Sequence, residues 1–284
     1  MAITRRVAGF ISACVLTTAA NADGDTAPGG VVSTALCADA YVLALVAPED
    51  IRALSWQAGQ SVSAAPNWAR ALPRARPEAE TVLALQPDLA VFGAGEGGRT
   101  LSLLERTGQA GLELVWGESF ETVRANLRRL GAALDDEAAA AREIADLDAR
   151  LAALEARAAE RTAHPRIAYL SSSGGSAGAD TYVDAAIRAA GGRNLVAEAG
   201  ATGWTRSDPE FALTLEADIL ITSFFVDGYE GRLNPARYHS AYQPLLAAPE
   251  RVDIPAGDWP CAGPRLIHAA EAIADAIDVW EAGR

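Results

Sequence analysis

The chain has 284 residues, half of them hydrophobic and 21% charged, a composition that fits a globular protein with room for two cores and excludes a disordered or membrane-embedded chain. All 24 basic residues are arginine, so a Walker A loop, a Schiff-base lysine and pyridoxal chemistry are excluded. The 37 acids bring the formal charge to −13, which argues against nucleic acid as a partner.

Met1 to Ala22 has Arg5 and Arg6, an apolar run from Val7 to Ala20, and Ala20-Asn21-Ala22 as a small-x-small cleavage site. The expectation is a cleavable secretory signal that sends the mature chain to the periplasm, because the run is shorter than the roughly 20 residues of a membrane span. Its removal leaves 22 arginines against 37 acids, a charge of −15. Of the three cysteines Cys14 lies in this segment, leaving Cys37 and Cys261 in a compartment that permits disulfides.

Downstream, a short strand at Val31–Ser33 leads into a helix from Leu36, with Cys37 near its amino end. A second strand at Ile51–Leu54 precedes a proline-rich loop, 55–77, that carries Trp56 and Trp68. The segment Glu80-TVLALQP-Asp88-LAVF reads as helix, turn and buried strand, and the glycine loop Gly93 to Gly98 follows it. Next come a helix from Arg99, a strand expected over Leu112 to Trp116, and a helix over Ser119 to Leu134.

Asp136 to Thr162 is the longest helical pattern, with Ala140, Ile144, Leu147, Leu151, Leu154 and Ala158 on one stripe and charges elsewhere. Its length of about 40 Å suits a strut between two bodies. Beyond it lie a strand at Arg166–Leu170, a serine- and glycine-rich stretch to Gly178, a helix over Thr181 to Ala190 and a loop at Gly203-Trp204. Glu210-FALTLEA-Asp218-ILIT then repeats the earlier frame E-x-x-L-x-L-x-x-D plus strand, so that Glu80 matches Glu210 and Asp88 matches Asp218. An irregular segment with Tyr229, Tyr238 and His239 precedes a strand at Val252–Ile254 and a final helix opened by Pro264. Two similar lobes joined by one helix is the simplest account of this echo.

Gly93, Gly95 and Gly98 satisfy G-x-G-x-x-G with Glu118 about 20 residues on, the form of a dinucleotide site. The unit is not the opening strand of its lobe, and an exported protein lacks nicotinamide cofactor. The loop is therefore expected to border a cleft, where its helix amino end could favour an anion. Gly174 to Gly178 satisfies G-x-S-x-G around Ser176, with Asp218 or Asp227 and His239 or His268 following in hydrolase order. The ten or so residues between Leu170 and Thr181 are too many for a nucleophile elbow. Trp56, Trp68, Trp204 and Trp259 all fall in expected loops, where aromatic faces can line a pocket for a large flat ligand. For Cys37 and Cys261 three states stay open, namely inert thiols, a disulfide, or ligation of a metal in the bound complex.

The stretches Ala79 to Leu89, Gly191-Gly192-Arg193-Asn194-Leu195, Trp204 ahead of Glu210, and Asp258-Trp259-Pro260-Cys261-Ala262-Gly263-Pro264-Arg265 resemble the periplasmic binding proteins that deliver vitamin B12, ferric siderophores or haem to ABC importers. The resemblance covers nearly all of the mature chain. It implies an α/β fold of two Rossmann-like lobes, each with a central sheet, joined by one long backbone helix (the class III arrangement), with a stiff spine and little hinge opening. The boundaries it implies are a signal at 1–22, an N-terminal lobe at 23–135, a linking helix at 136–162 and a C-terminal lobe at 163–284. It also implies a non-enzymatic solute-binding component for a metal complex, a corrinoid, haem or a ferric siderophore, that acts as a monomer without a cofactor or catalytic residues. By resemblance Trp56, Trp204 and Asp258 fall in the ligand pocket, while Gly93 stands where the B12 binder has a tryptophan. Trp68, Tyr182, Trp259, Cys37 and Cys261 are further expected ligand contacts. Glu80 and Glu210 are expected to dock on the paired transporter membrane subunits, one per lobe. The alternatives are a haem or metal carrier with cysteine ligation and an exported hydrolase using Ser176.

Overall fold

The computed structural model describes residues 29–206, 214–223, 240–247 and 250–284. The first lobe is built on β1 (Val31–Ser33), β2 (Ile51–Ser55), β3 (Arg74–Ala75), β4 (Leu89–Phe92) and β5 (Ala110–Glu113), paired in parallel in the order β3-β2-β1-β4-β5. Between them run α1 (Leu36–Leu45), α2 (Asn67–Arg70), α3 (Ala79–Leu85) and α4 (Gly98–Thr107), and α5 (Phe120–Ala133) follows β5. The long helix α6 (Glu137–Ala159) leads to the second lobe. There β6 (Arg166–Ser171), β8 (Arg193–Asn194), β10 (Ile219–Ser223) and β11 (Glu250–Asp253) form a parallel sheet in the order β11-β10-β6-β8. A separate antiparallel pair, β7 (Gly175–Ala177) with β9 (Trp204–Arg206), stands beside it. The described helices of this lobe are α7 (Tyr182–Ala189), α8 (Leu195–Glu198), α9 (Gln243–Leu246) and α10 (Leu266–Ala282).

Both sheets are parallel, and their central strands are covered on two faces and so read as unbroken apolar runs. Every residue of β4 and of β10 is buried. The internal repeat has a physical counterpart at the entrance to these strands. Asp88, just before β4, accepts from the Gly30 N–H at 2.8 Å, and Asp218, just before β10, accepts from the Arg166 N–H at 2.8 Å. Each aspartate thus caps the first free donor of the neighbouring central strand, at matching registers, since Val31 pairs with Leu89 and Ile167 with Ile219. Glu210 and the start of the second repeat lie outside the described residues.

The spine α6 is slightly shorter than its sequence pattern, about 35 Å at 1.5 Å per residue. Asp136 caps it by accepting from the Ala139 N–H at 2.9 Å, and Ala140, Leu147 and Leu154 are its buried residues. Ion pairs bind it, and Arg161 just beyond its end, to α10: Arg150 to Glu271 at 2.5 Å, Arg157 to Asp275 at 2.7 Å and to Asp278, and Arg161 to Asp278 at 2.7 Å. Hydrogen bonding from Arg150 holds the Glu271 carboxyl below its ordinary value. Among the described residues no helix is long and apolar enough to cross a membrane.

One element departs from its expected bounds in a way that matters for the site. The strand expected over Leu112 to Trp116 is β5, which ends at Glu113 where its pairing with Phe92 stops. Asn126, buried in the apolar face of α5, accepts from the Val115 N–H at 2.8 Å and donates to the Val115 carbonyl at 3.1 Å. These two bonds replace the ladder that a longer strand would have made, and the chain turns away from the sheet carrying Trp116 into the open.

Candidate functional site

The carboxyl ends of the two sheets face a common cleft of about 370 Å³, within the ~300–1,000 Å³ range of small-molecule sites. From the first lobe it is lined by Ala35 and Leu36 after β1, Gly93 and Glu96 after β4, and Trp116 to Glu118 after β5. The second lobe contributes Tyr182, Trp204 and the segment Pro260 to Ala262. The strand order reverses between β2 and β4 on the two sides of β1, so Ala35 and Gly93 flank the switch point, the place where open α/β sheets bind ligands.

Its walls are aromatic. Trp116 is 78% exposed and Trp204 46% exposed, one from each lobe. Trp204, at the start of β9, meets the Tyr182 ring edge-on with centroids 4.9 Å apart and the Tyr169 ring at 6.3 Å. Glu118 crosses from the first lobe to hold this corner: one carboxylate oxygen accepts from the Trp204 indole N–H at 3.2 Å, the other from the Tyr182 backbone N–H at 3.1 Å. Burial pushes the Tyr182 phenol well above its ordinary value. Gly93 leaves space where a side chain would collide, since a Cβ there would lie 2.8 Å from that of Ala35.

Beneath the cleft the lobes are joined by a seam. Cys37 on α1 and Cys261 ahead of α10 form a disulfide with Cα atoms 6.0 Å apart, 224 residues apart in sequence. Tyr41 donates its hydroxyl to the Ala262 carbonyl at 2.7 Å. Gly257 lies so close to the first lobe that a Cβ would stand 2.7 Å from the Ala64 nitrogen. Asp39, 2% exposed, accepts from Ser33 Oγ at 2.6 Å, Ser55 N at 2.8 Å and Ser55 Oγ at 2.6 Å, which ties β1, α1 and β2 together. Burial raises its carboxyl to about 6 against the pull of these donors.

The sequence over residues 40–228 matches the model of the periplasmic binding proteins. The chain belongs to this family. Part of it is 29% identical over 150 residues to a cobalamin-binding protein of Halobacterium salinarum, a match that spans 52% of this chain and 41% of the relative. Two solved structures share the fold. A periplasmic haem-binding protein from Roseiflexus sp. RS-1 in its apo form superposes with a TM-score of 0.70 at 22% identity, covering 88% of this chain and 99% of the other. The periplasmic vitamin B12-binding protein of Vibrio cholerae superposes with a TM-score of 0.65 at 18% identity, covering 89% and 99%.

In this periplasmic binding protein the expected contacts separate into those at the cleft and those behind it. Tyr182 and Trp204 line the cleft, and so do Cys37 and Cys261, but as one disulfide whose sulfurs are spent on each other and cannot ligate a metal. Trp259 is 0% exposed: its indole N–H donates to Ser223 Oγ at 2.9 Å and its ring packs edge-on against Tyr169 at 5.5 Å, so it is core. Asp258 is occupied by Arg265, whose guanidinium donates to its carboxylate at 2.9 and 2.5 Å. Trp56 lies beneath the Arg76 guanidinium, 4.6 Å from it, and its neighbour Gln57 faces the cleft instead. Trp68 lines a second cavity of about 300 Å³, against Ala40, Leu43 and Ala44 of α1 rather than Cys37 and Tyr41.

Ser176 is not a nucleophile here. It is fully buried in β7 and donates to the Tyr169 carbonyl at 2.7 Å, locked in the sheet pair rather than presented on a strand-to-helix turn. Of its suggested partners, Asp218 caps Arg166 and His268 stands 3.3 Å from Arg150, while Asp227 and His239 lie outside the described residues. The glycine loop does not offer its amides to an outside anion, because Glu113 accepts from the Gly95 N–H at 2.8 Å and the Gly97 N–H at 3.0 Å. Sequence reasoning missed Trp116, which it counted as strand, and gave Glu118 only to a dinucleotide pattern. The polar Asn126 amid Val123, Leu127 and Leu130 on the buried face of α5 was the available signal for the early end of β5.

Proposed function

We propose that this protein is the solute-binding component of an ABC importer, that it holds a flat metal-bearing macrocycle of the corrinoid or haem kind between its lobes, and that it releases the ligand unaltered. The single observation that carries this reading is the pair of exposed tryptophans, Trp116 and Trp204, brought from opposite lobes to one cleft at the sheet switch point. The names of the cobalamin-binding relative and of the haem- and B12-binding structures support the ligand class. The buried Ser176 supports a non-enzymatic role. Met1 to Ala22 directs export to the periplasm. Glu80, exposed in the first turn of α3, and its sequence counterpart Glu210 dock on the two transporter subunits. The test is native mass spectrometry with an absorption spectrum on protein purified from its own periplasm. A stoichiometric tetrapyrrole-type mass and its visible bands are expected, and protein that carries and takes up no such ligand would overturn the reading.

A further inference from the structure

Four donors beside this cleft, the Gly95, Gly97 and Tyr182 amides and the Trp204 indole, are already answered by the protein's own carboxylates. Glu113 fills the Gly95 and Gly97 amides, and Glu118 fills both the first amide of α7 and the Trp204 indole. Glu96 folds back over Gly93, so that a Cβ on Gly93 would lie 3.0 Å from its carboxylate oxygen, and the Gly93 backbone is its hydrogen-bond partner. Among the described residues that line the cleft there is no arginine and no histidine, while Glu96 and Glu118 both face it. The aromatic walls give a large flat ligand its contact area, and among the described residues that line the cleft the formal charges are negative.

We propose that the cleft selects among macrocycles by charge: it takes one whose rim toward Glu96 and Glu118 carries amides or positive charge, and rejects one whose rim carries carboxylates. The proposal rests on the macrocycle reading above and deepens it, by placing amide-decorated corrinoids within the specificity and the dicarboxylate edge of haem outside it. The physical reason is desolvation. A carboxylate brought against Glu96 or Glu118 loses water and meets a like charge, since the Gly95, Gly97 and Tyr182 amides are already bonded to Glu113 and Glu118. Burial and the Glu113 charge already raise the Glu96 carboxyl, so a further anion is what this corner tolerates least.

Two corrinoids with the same ring separate charge from shape: dicyanocobinamide, whose side chains are amides, and dicyanocobyrinic acid, whose side chains are free carboxylates. Calorimetric titration of the full chain at pH 7 and low salt is expected to show the amide ligand bound at least about tenfold more tightly. That ratio should shrink as salt rises to about 0.5 M, and in Glu96→Gln and Glu96→Gln/Glu118→Gln. The salt series uses the unaltered protein and so decides the matter even if a variant fails to fold. Equal or tighter binding of the carboxylate ligand would overturn charge selection and leave the macrocycle reading standing, and so would a ratio indifferent to both salt and the substitutions. Binding of neither corrinoid would overturn charge selection, and if haem titrated in the same way also failed to bind, the macrocycle reading would fall with it.

Discussion

Trp204 and Trp259 are two tryptophans of the second lobe, both in segments outside helices, and they serve opposite ends. Trp204 keeps nearly half its surface open and has its indole N–H held by a carboxylate from the other lobe. Trp259 has none of its surface open and gives its indole N–H to a serine of its own lobe. Tyr182 lies within ring contact of both, 4.9 Å from Trp204 and 6.5 Å from Trp259. The difference teaches that the molecule is layered here: a cleft wall of Trp116, Trp204, Tyr182 and Glu118 stands on a seam of Trp259, Asp39, Tyr41 and the disulfide. The wall residues face the cleft, while behind them Asp39 and Trp259 tie each lobe's own elements together and Tyr41 and the disulfide tie one lobe to the other.

If that division is right, substitutions in the seam cost stability first. Trp259→Ala is expected to destabilise by about 3–5 kcal/mol, the range for emptying an aromatic core site, as read by chemical denaturation. Reduction of Cys37–Cys261, or Cys37→Ser/Cys261→Ser, should lose about 4 kcal/mol, because the bridge closes a loop that spans both lobes. A mild dithiol should produce two titratable thiols together with that loss, and an unchanged denaturation midpoint would remove the disulfide from the seam.

Asp39 sharpens the comparison through pH. Its folded carboxyl, at about 6, lies above its ordinary 3.8, so between these values the native state binds the proton that the unfolded chain has released. Its contribution to stability is therefore fully present below about pH 4 and is lost as pH rises through 6, by about 3 kcal/mol in all. Glu271, Asp278 and Glu281 have lowered carboxyls and act in the opposite sense at lower pH, but they are shared with Asp39→Asn and cancel in the difference. Wild type minus Asp39→Asn should fall in stability across that window, and a flat difference would count against the buried charge.

In the wall the effects move to binding. Trp204→Ala should weaken ligand binding by about 1–3 kcal/mol while the melting temperature changes little. Glu80→Arg with Glu210→Arg is expected to leave both affinity and melting temperature nearly unchanged and to abolish uptake in vesicles with the cognate transporter. Uptake that persists in the double variant would remove these glutamates from the docking surface.

Much of the fold was legible because its signals are periodic and local. The α6 stripe, the unbroken apolar strands and the E-x-x-L-x-L-x-x-D echo all depend on neighbours in sequence, and the structure supplies Asp88 and Asp218 in the same capping role. The site was legible only in part, because exposure is decided by contacts that sequence order does not display. Trp116 is freed by Asn126, which satisfies the backbone of Val115, and Trp259 is buried by Ser223 and Tyr169. The pairing of Cys37 with Cys261 stayed open for the same reason, since only the approach of the lobes brings the Cα atoms to 6.0 Å. The glycine loop read as a possible anion site, and Glu113 at the end of β5 is what fills it.

The most direct test of a ligand held between walls from opposite lobes is calorimetric titration of dicyanocobinamide into Trp116→Ala/Trp204→Ala. The account predicts an affinity about a hundredfold or more below wild type, from two desolvated aromatic contacts removed together, with the melting temperature nearly intact. Wild-type affinity in this double variant would contradict it, because the ligand would then be held somewhere other than the cleft.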